Sequence, residues 1–141
     1  MNIKKYLKMV CLLGLLTTAC QKPVFLLNGN TYRLIQKEGA SAEIFLSFDE
    51  QGKHFFGKVL NRYFGPYTIK APDIIEFGSI GTTVMAGPQE VMRSEQEYLQ
   101  FLNHVKKYKV TETTLELTSS KGETKTFEKI ISEQQNDKAI K

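Results

Sequence analysis

The sequence predicts an α+β domain, an antiparallel sheet with one helix laid across it. Apolar residues recur with period two along most of the chain, and a single stretch carries them at helical spacing. Turn residues separate the period-two runs at short intervals, which favours strands that pair with their neighbours in sequence.

Tyr32 and Leu34 begin the first strand; Ile44, Leu46 and Phe48 then put three apolar side chains on one face. Asp49-Glu50-Gln51-Gly52 follows as a hairpin turn. The next strand spans roughly His54 to Asn61, with Phe56 expected inside beside Phe48. Tyr63 to Ile69 continues the sheet. Gly65-Pro66 interrupts it, because a proline removes a ladder donor and predicts an edge, bulge or turn. Lys70 to Asp73 is a turn, Ile74 to Phe77 a short strand, and Gly78 to Gly87 a glycine-rich segment without clear pattern. A helix is predicted over about 88–105. Pro88 suits a first turn, Glu90 complements the helix N-terminus, and Val91, Tyr98, Leu99, Leu102 and Val105 form an apolar stripe. Arg93, Glu97, Gln100 and Asn103 take the other side. Tyr108 to Thr111, Thr114 to Leu117 and Lys125 to Ile131 complete the strands, with Val110, Leu115, Leu117 and Phe127 as apolar faces.

The first residues carry the parts of an export signal. Lys4, Lys5 and Lys8 precede a short apolar run, Met9 to Leu16, that closes on Thr17-Thr18-Ala19-Cys20. Spanning a bilayer takes roughly 17–25 apolar residues, so a removed signal fits better than a membrane helix. A cysteine directly after a small residue resembles the bacterial lipobox, in which cleavage precedes the cysteine and its thiol is acylated. Thr17 stands where that pattern usually has Leu, and ordinary signal cleavage to a soluble periplasmic product is the rival reading. Gln21, rather than Asp, follows Cys20, which suggests the outer membrane, facing the periplasm. The chain therefore divides into a signal peptide (1–19), a lipidated tether (20–27), a folded domain (28–131) and a flexible polar tail (132–141).

From Cys20 onward 122 residues remain, enough for one core. Sixteen basic residues there face 15 acidic ones, so the formal +4 of the whole chain falls to +1 and no basic field argues for nucleic acid. Cys11 lies in the apolar run and Cys20 at its end, so the domain has no internal disulfide and relies on core burial. His54 and His104 stand apart, and no residue set has metal-ligand spacing. There is no G-x-S-x-G nucleophile elbow. Gly78-Ser79-Ile80-Gly81 lacks the lysine of a phosphate loop, and Glu90, Glu95 and Glu97 share one helix rather than facing across a cleft. No catalytic group, metal or cofactor is expected, and a hydrolase is remote. Asn61-Arg62-Tyr63-Phe64-Gly65 is the most specific run. Asn61 can satisfy turn amides, Gly65 is expected in a conformation closed to other residues, and Arg62 could clamp an anion, although a corner held by packing accounts for the run more simply.

Three segments together resemble the META domain family of HslJ-like heat-shock-type proteins. They are Asn28-Gly29-Asn30-Thr31-Tyr32-Arg33-Leu34, where the family usually has Trp at the place of Tyr32; Leu46-Ser47-Phe48-Asp49 through Gly57 to Asn61-Arg62-Tyr63-Phe64-Gly65; and Thr82-Thr83-Val84-Met85-Ala86-Gly87-Pro88 with Glu95-Gln96-Glu97. The resemblance implies a strongly curved antiparallel sheet or partial barrel crossed by one helix, no catalytic activity, and roles in envelope stress or secretion. Many members carry a cysteine pair where this chain has Leu60 and Gly87, so the resemblance implies that these two positions adjoin. The functional expectation is a non-catalytic envelope lipoprotein held at the membrane through lipid on Cys20, with an envelope protein as candidate partner. The alternative is a carrier of a small apolar ligand inside the curved sheet, which would need a void among Phe48, Phe56, Tyr98 and Leu102.

Overall fold

The computed structural model describes residues 26–131; Cys20, the segment before it and the tail from 132 onward lie outside the described residues. The elements are β1 (Thr31–Leu34), β2 (Phe45–Phe48), β3 (His54–Lys58), β4 (Arg62–Lys70), β5 (Ile74–Phe77), β6 (Gly81–Thr82), α1 (Gln89–His104), β7 (Val105–Val110), β8 (Thr114–Ser119) and β9 (Thr124–Ile130). Every pairing is antiparallel. The order runs β3-β2-β1-β9-β8-β7-β5-β4, and β4 pairs back onto β3, so eight strands close into a barrel. The curved sheet that the resemblance implies thus has no free long edge, which removes the usual template for aggregation. Its thinnest seam is β5–β7, joined in register only at Ile74 and Lys107. Tyr108 N–H adds one bond there to the Asp73 carbonyl at 2.9 Å.

Strand alternation builds the core. On β4, Tyr63, Gly65 and Tyr67 point inward while Arg62, Phe64 and Pro66 face out. Tyr32, Phe48, Phe55, Tyr63 and Phe127 are almost wholly enclosed, as are Leu46, Ile75, Leu115 and Leu117. The rings meet edge-on or tilted at centroid distances from 4.7 Å (Phe55–Phe77) to 6.4 Å (Phe48–Phe77), the geometry their quadrupoles favour. Leu27, assigned to the tether by sequence, is buried with them.

The helix lies across the mouth where the β1–β2, β3–β4 and β8–β9 connections gather. Ser94 bonds Ser41 at 2.7 Å, Glu95 takes the amides of Leu60 and Asn61, the Lys125 ammonium sits 5.0 Å over the Phe101 ring, and the His104 carbonyl accepts from Ser120 N–H. Its buried side chains are Tyr98, Phe101 and Leu102. The other mouth is closed near the N-terminal end of the domain, where Tyr67 Oη bonds Asn28 Oδ1 at 3.2 Å and Gly29 N–H reaches the Phe48 and Asp49 carbonyls.

Several expectations are corrected. Phe56 points outward and Phe55 fills the core. Alternation alone cannot choose between adjacent phenylalanines; Gly57 chooses, because it faces inward opposite Tyr63 and leaves room for that ring. Pro66 does not interrupt its strand, which runs nine residues. Its carbonyl still accepts from Gly78 N–H at 2.7 Å, so the missing N–H forfeits only the reciprocal bond at the very end of the β4–β5 ladder, before the β4–β6 ladder begins. Phe101, unread by sequence, replaces Val91 and Leu99 as the deeply buried helix residue. The helix stops at His104, and Val105 already belongs to β7 with no loop between.

Burial pushes Tyr32 and Tyr67 each up to about 12 from an ordinary 10.0 and raises Tyr63 well above its ordinary value. For Tyr32 the next cause is the neighbouring Tyr67, and for Tyr67 it is Asp49. In the unfolded chain these phenols ionise near 10, so their stabilising contribution is complete below pH 10 and is lost as pH rises toward 12. The denaturation midpoint in guanidinium should therefore fall steeply above pH 10, and a midpoint flat to pH 12 would contradict the buried-phenol core.

Candidate functional site

The turn between β3 and β4 is held by two side chains. Asn61, 7 % exposed, donates from Nδ2 to Glu95 Oε1 at 2.9 Å and to the Met85 carbonyl at 3.4 Å. Its Oδ1 accepts from Met85 N–H at 2.7 Å and from Thr83 Oγ1 at 3.2 Å. Thr83 Oγ1 in turn accepts from Arg62 N–H at 3.0 Å. Glu95 Oε2 takes Asn61 N–H at 2.6 Å and Leu60 N–H at 3.0 Å. Three segments distant in sequence are thereby locked together: the hairpin end, the 83–87 loop and the helix.

Below this corner runs a second polar chain. Tyr63 Oη lies 2.5 Å from the Phe45 carbonyl and 2.9 Å from Tyr98 Oη. A carbonyl only accepts, so the single Tyr63 proton goes there and Tyr98 donates to Tyr63. The ring reaches Phe45 by crossing Gly57, where an added Cβ would sit 2.1 Å from the Phe45 oxygen and 2.3 Å from Tyr63 Oη. No larger residue fits.

The five-residue run is thus split by the fold. Asn61 and Tyr63 point into the structure, Arg62 and Phe64 outward. The Phe64 ring lies over Gly81, where a Cβ would meet it at 2.9 Å. Gly65 is required for close approach to Ser79 O and Phe55, not for a left-handed backbone, which only Gly29, Gly39, Gly52 and Gly122 adopt among the described residues. Leu60 and Gly87, the places the resemblance assigns to a cysteine pair, are neighbours: a Cβ on Gly87 would lie 2.7 Å from Leu60 Cδ2. Glu95 went unremarked as a site residue. Its signal was in the sequence, a carboxylate at position 95 on the stripe of Val91, Tyr98 and Leu102.

This arrangement holds backbones rather than reacting groups. Each Glu95 oxygen is occupied by donors from the hairpin end. The histidines are separate, His54 beside Asp49 at 3.3 Å and His104 against the Gln100 carbonyl at 2.7 Å. Among the described residues no three His, Cys, Asp or Glu side chains converge to hold a metal, and no helix is long and apolar enough to cross a membrane.

The META domain family model matches residues 26–130. No curated protein matches the sequence. Among solved structures, an NMR structure of a protein from Burkholderia xenovorans aligns with a TM-score of 0.63 at 25% identity, covering 75% of this chain and 85% of that one. A second NMR structure aligns with a TM-score of 0.52 at 18% identity, over 72% of this chain and 90% of the other, and shows the fold alone.

Asn61→Ala and Glu95→Ala should each cost about 1–3 kcal/mol, because each strands buried amide or carboxamide groups. Together they should cost less than their sum, since they share partners. Equilibrium denaturation of the four proteins in the cycle measures this; additive losses would show the two act separately. Leu60→Cys combined with Gly87→Cys should oxidise to a disulfide that adds roughly 3 kcal/mol. Free thiols persisting under oxidising conditions would contradict the adjacency.

Proposed function

The chain belongs to the META domain family, and from that premise we propose that it is a non-catalytic, lipid-anchored envelope protein acting through its surface. Its place is the outer membrane facing the periplasm, its tether an acylated Cys20, and its work envelope stress tolerance or a secretion-related protein contact. The observation that carries the non-catalytic half is the economy of the Asn61–Glu95 corner. Its polar atoms are engaged with one another and with backbone, leaving no nucleophile, base or oxyanion pocket. The anchoring half rests on the N-terminal pattern. Cys20 is the sole cysteine after the apolar run, directly follows Ala19, and has no partner for a disulfide within the chain from that point on. Two or more acyl chains hold a protein stably on a bilayer.

The carrier reading finds less support. It needs a lumen, and the rings of Phe48, Phe55, Tyr63 and Phe127 with Leu46 occupy the barrel at nearly zero exposure. One cleft on the described residues, about 690 Å³ and open to the outside, runs along the helix past Met92, Gln96 and Leu99.

Native protein should have an N-terminal mass of Cys20 plus diacylglycerol and fatty acid, and should fractionate with membranes. Cys20→Ser should abolish both. A native chain starting at an unmodified residue and found in the soluble fraction would end the anchored reading.

A further inference from the structure

The outer wall of the β3–β4 hairpin is unlike the rest of the barrel surface. Cross-strand partners share a face, so three outward pairs stand in a row: His54 with Pro66, Phe56 with Phe64, and Lys58 with Arg62. Phe56 and Phe64 are 49% and 56% exposed, although either could have been a polar residue at no cost to the core. Together with Pro66, Ser79 and Gly81 they line an apolar recess of about 340 Å³. Past Arg62 the chain displays Val84 and Met85, 96% and 57% exposed. That tip is fixed in place, since Asn61 grips Met85 through both its N–H and its carbonyl and Thr83 N–H bonds the Arg62 carbonyl.

The charges say what covers it. Lys58 and Arg62 sit directly opposite one another, an unfavourable pairing of like charges. Among the described residues neither is ion-paired, whereas Arg33, on the same outer surface two strands away, has both Glu43 and Glu128. None of the six outward positions is a carboxylate; Asp49 faces His54 at one end of the row, and Glu95, behind the other end, is engaged by the Leu60 and Asn61 amides. Exposed rings beside unpaired cations complement a surface that is apolar within and anionic at its rim. Short reach adds to this. Only five residues separate Cys20 from Leu26, at most ~20 Å of extended chain, so an anchored barrel stays close to the bilayer.

We propose that the outer wall of the β3–β4 hairpin, with the Val84–Met85 tip, is a docking face for an anionic phospholipid surface. Phe56, Phe64 and Val84 enter the interfacial region, Lys58 and Arg62 meet the phosphates, and the barrel lies on its side. The rings arrive already oriented, Phe64 against Gly81 and the tip on Asn61, so little order is lost on contact. The reach argument rests on the lipid-anchor reading; the exposure and charge arguments do not.

The chain has no tryptophan, so single reporters can be introduced: Phe64→Trp on the face, and Glu116→Trp on β8 across the barrel. The chain from Cys20 onward is coupled through that thiol to a maleimide-bearing lipid, which replaces any natural acylation. In phosphatidylglycerol-containing vesicles, brominated lipid should quench the Phe64→Trp protein at least about twofold more than the Glu116→Trp protein. Lys58→Glu with Arg62→Glu should abolish the difference, and pure phosphatidylcholine, which presents no net negative surface to the two cations, should bring the two reporters close to equal quenching. Equal quenching of both reporters overturns the proposal, as does a difference indifferent to charge reversal. Concentration-dependent pairing of chains in solution that protects Phe64→Trp without lipid would also overturn it, giving the face to a second copy. Since coupling is chemical, an unacylated native mass would sink the anchor reading while leaving this result to stand or fall by itself.

Discussion

The barrel's helix-covered end depends on one hydrogen-bond chain, Tyr98 to Tyr63 to the Phe45 carbonyl, laid over a bare Gly57. A strand interior normally loses stability to glycine. Here the missing side chain is the space through which a tyrosine ring passes, and the ring restores the apolar cover that the glycine lacks. The hydroxyl then satisfies a backbone carbonyl on the next strand, and the helix hydroxyl satisfies the first. Sheet, hairpin and helix are fixed relative to one another by two protons.

Above that chain, the Asn61–Glu95 corner does the same task with backbone amides. A half-buried carboxylate on the helix would be costly without partners, and it has three, all from the hairpin end. The carboxamide of Asn61 faces the other way and holds the loop carrying Val84 and Met85. Rigid interior polarity and rigid exterior apolarity are thus two sides of one construction. Leu60 packs against Gly87 in the same corner, closing it with apolar contact as well as hydrogen bonds.

Much of this was legible beforehand, because period two and helical spacing are consequences of burial and survive in the sequence. Ile44, Leu46, Phe48, Leu115, Leu117 and Phe127 all fall where alternation puts them. What was illegible depended on contacts between distant residues. Nothing local says which of Phe55 and Phe56 turns inward; only Gly57 opposite Tyr63 decides it. Pro66 looked like an interruption because the local sequence does not show where along β4 the pairings with β5 and β6 end, and Pro66 lies between them. Glu95 was hidden for the opposite reason, since a carboxylate on an apolar stripe reads as noise until the amides of Leu60 and Asn61 are seen to approach it.

The first strand of the barrel pairs with the last: β1 lies between β2 and β9, with Thr31 opposite Ile130. Closure by way of the chain's two extremities makes folding an event of completion rather than of accumulation. A polypeptide emerging from a ribosome, or threading head-first through a narrow pore, has no finished cylinder to obstruct its passage until its final strand arrives. Long-range closure of this kind is slow, because the entropy of bringing distant strands together is lost before their ladder forms.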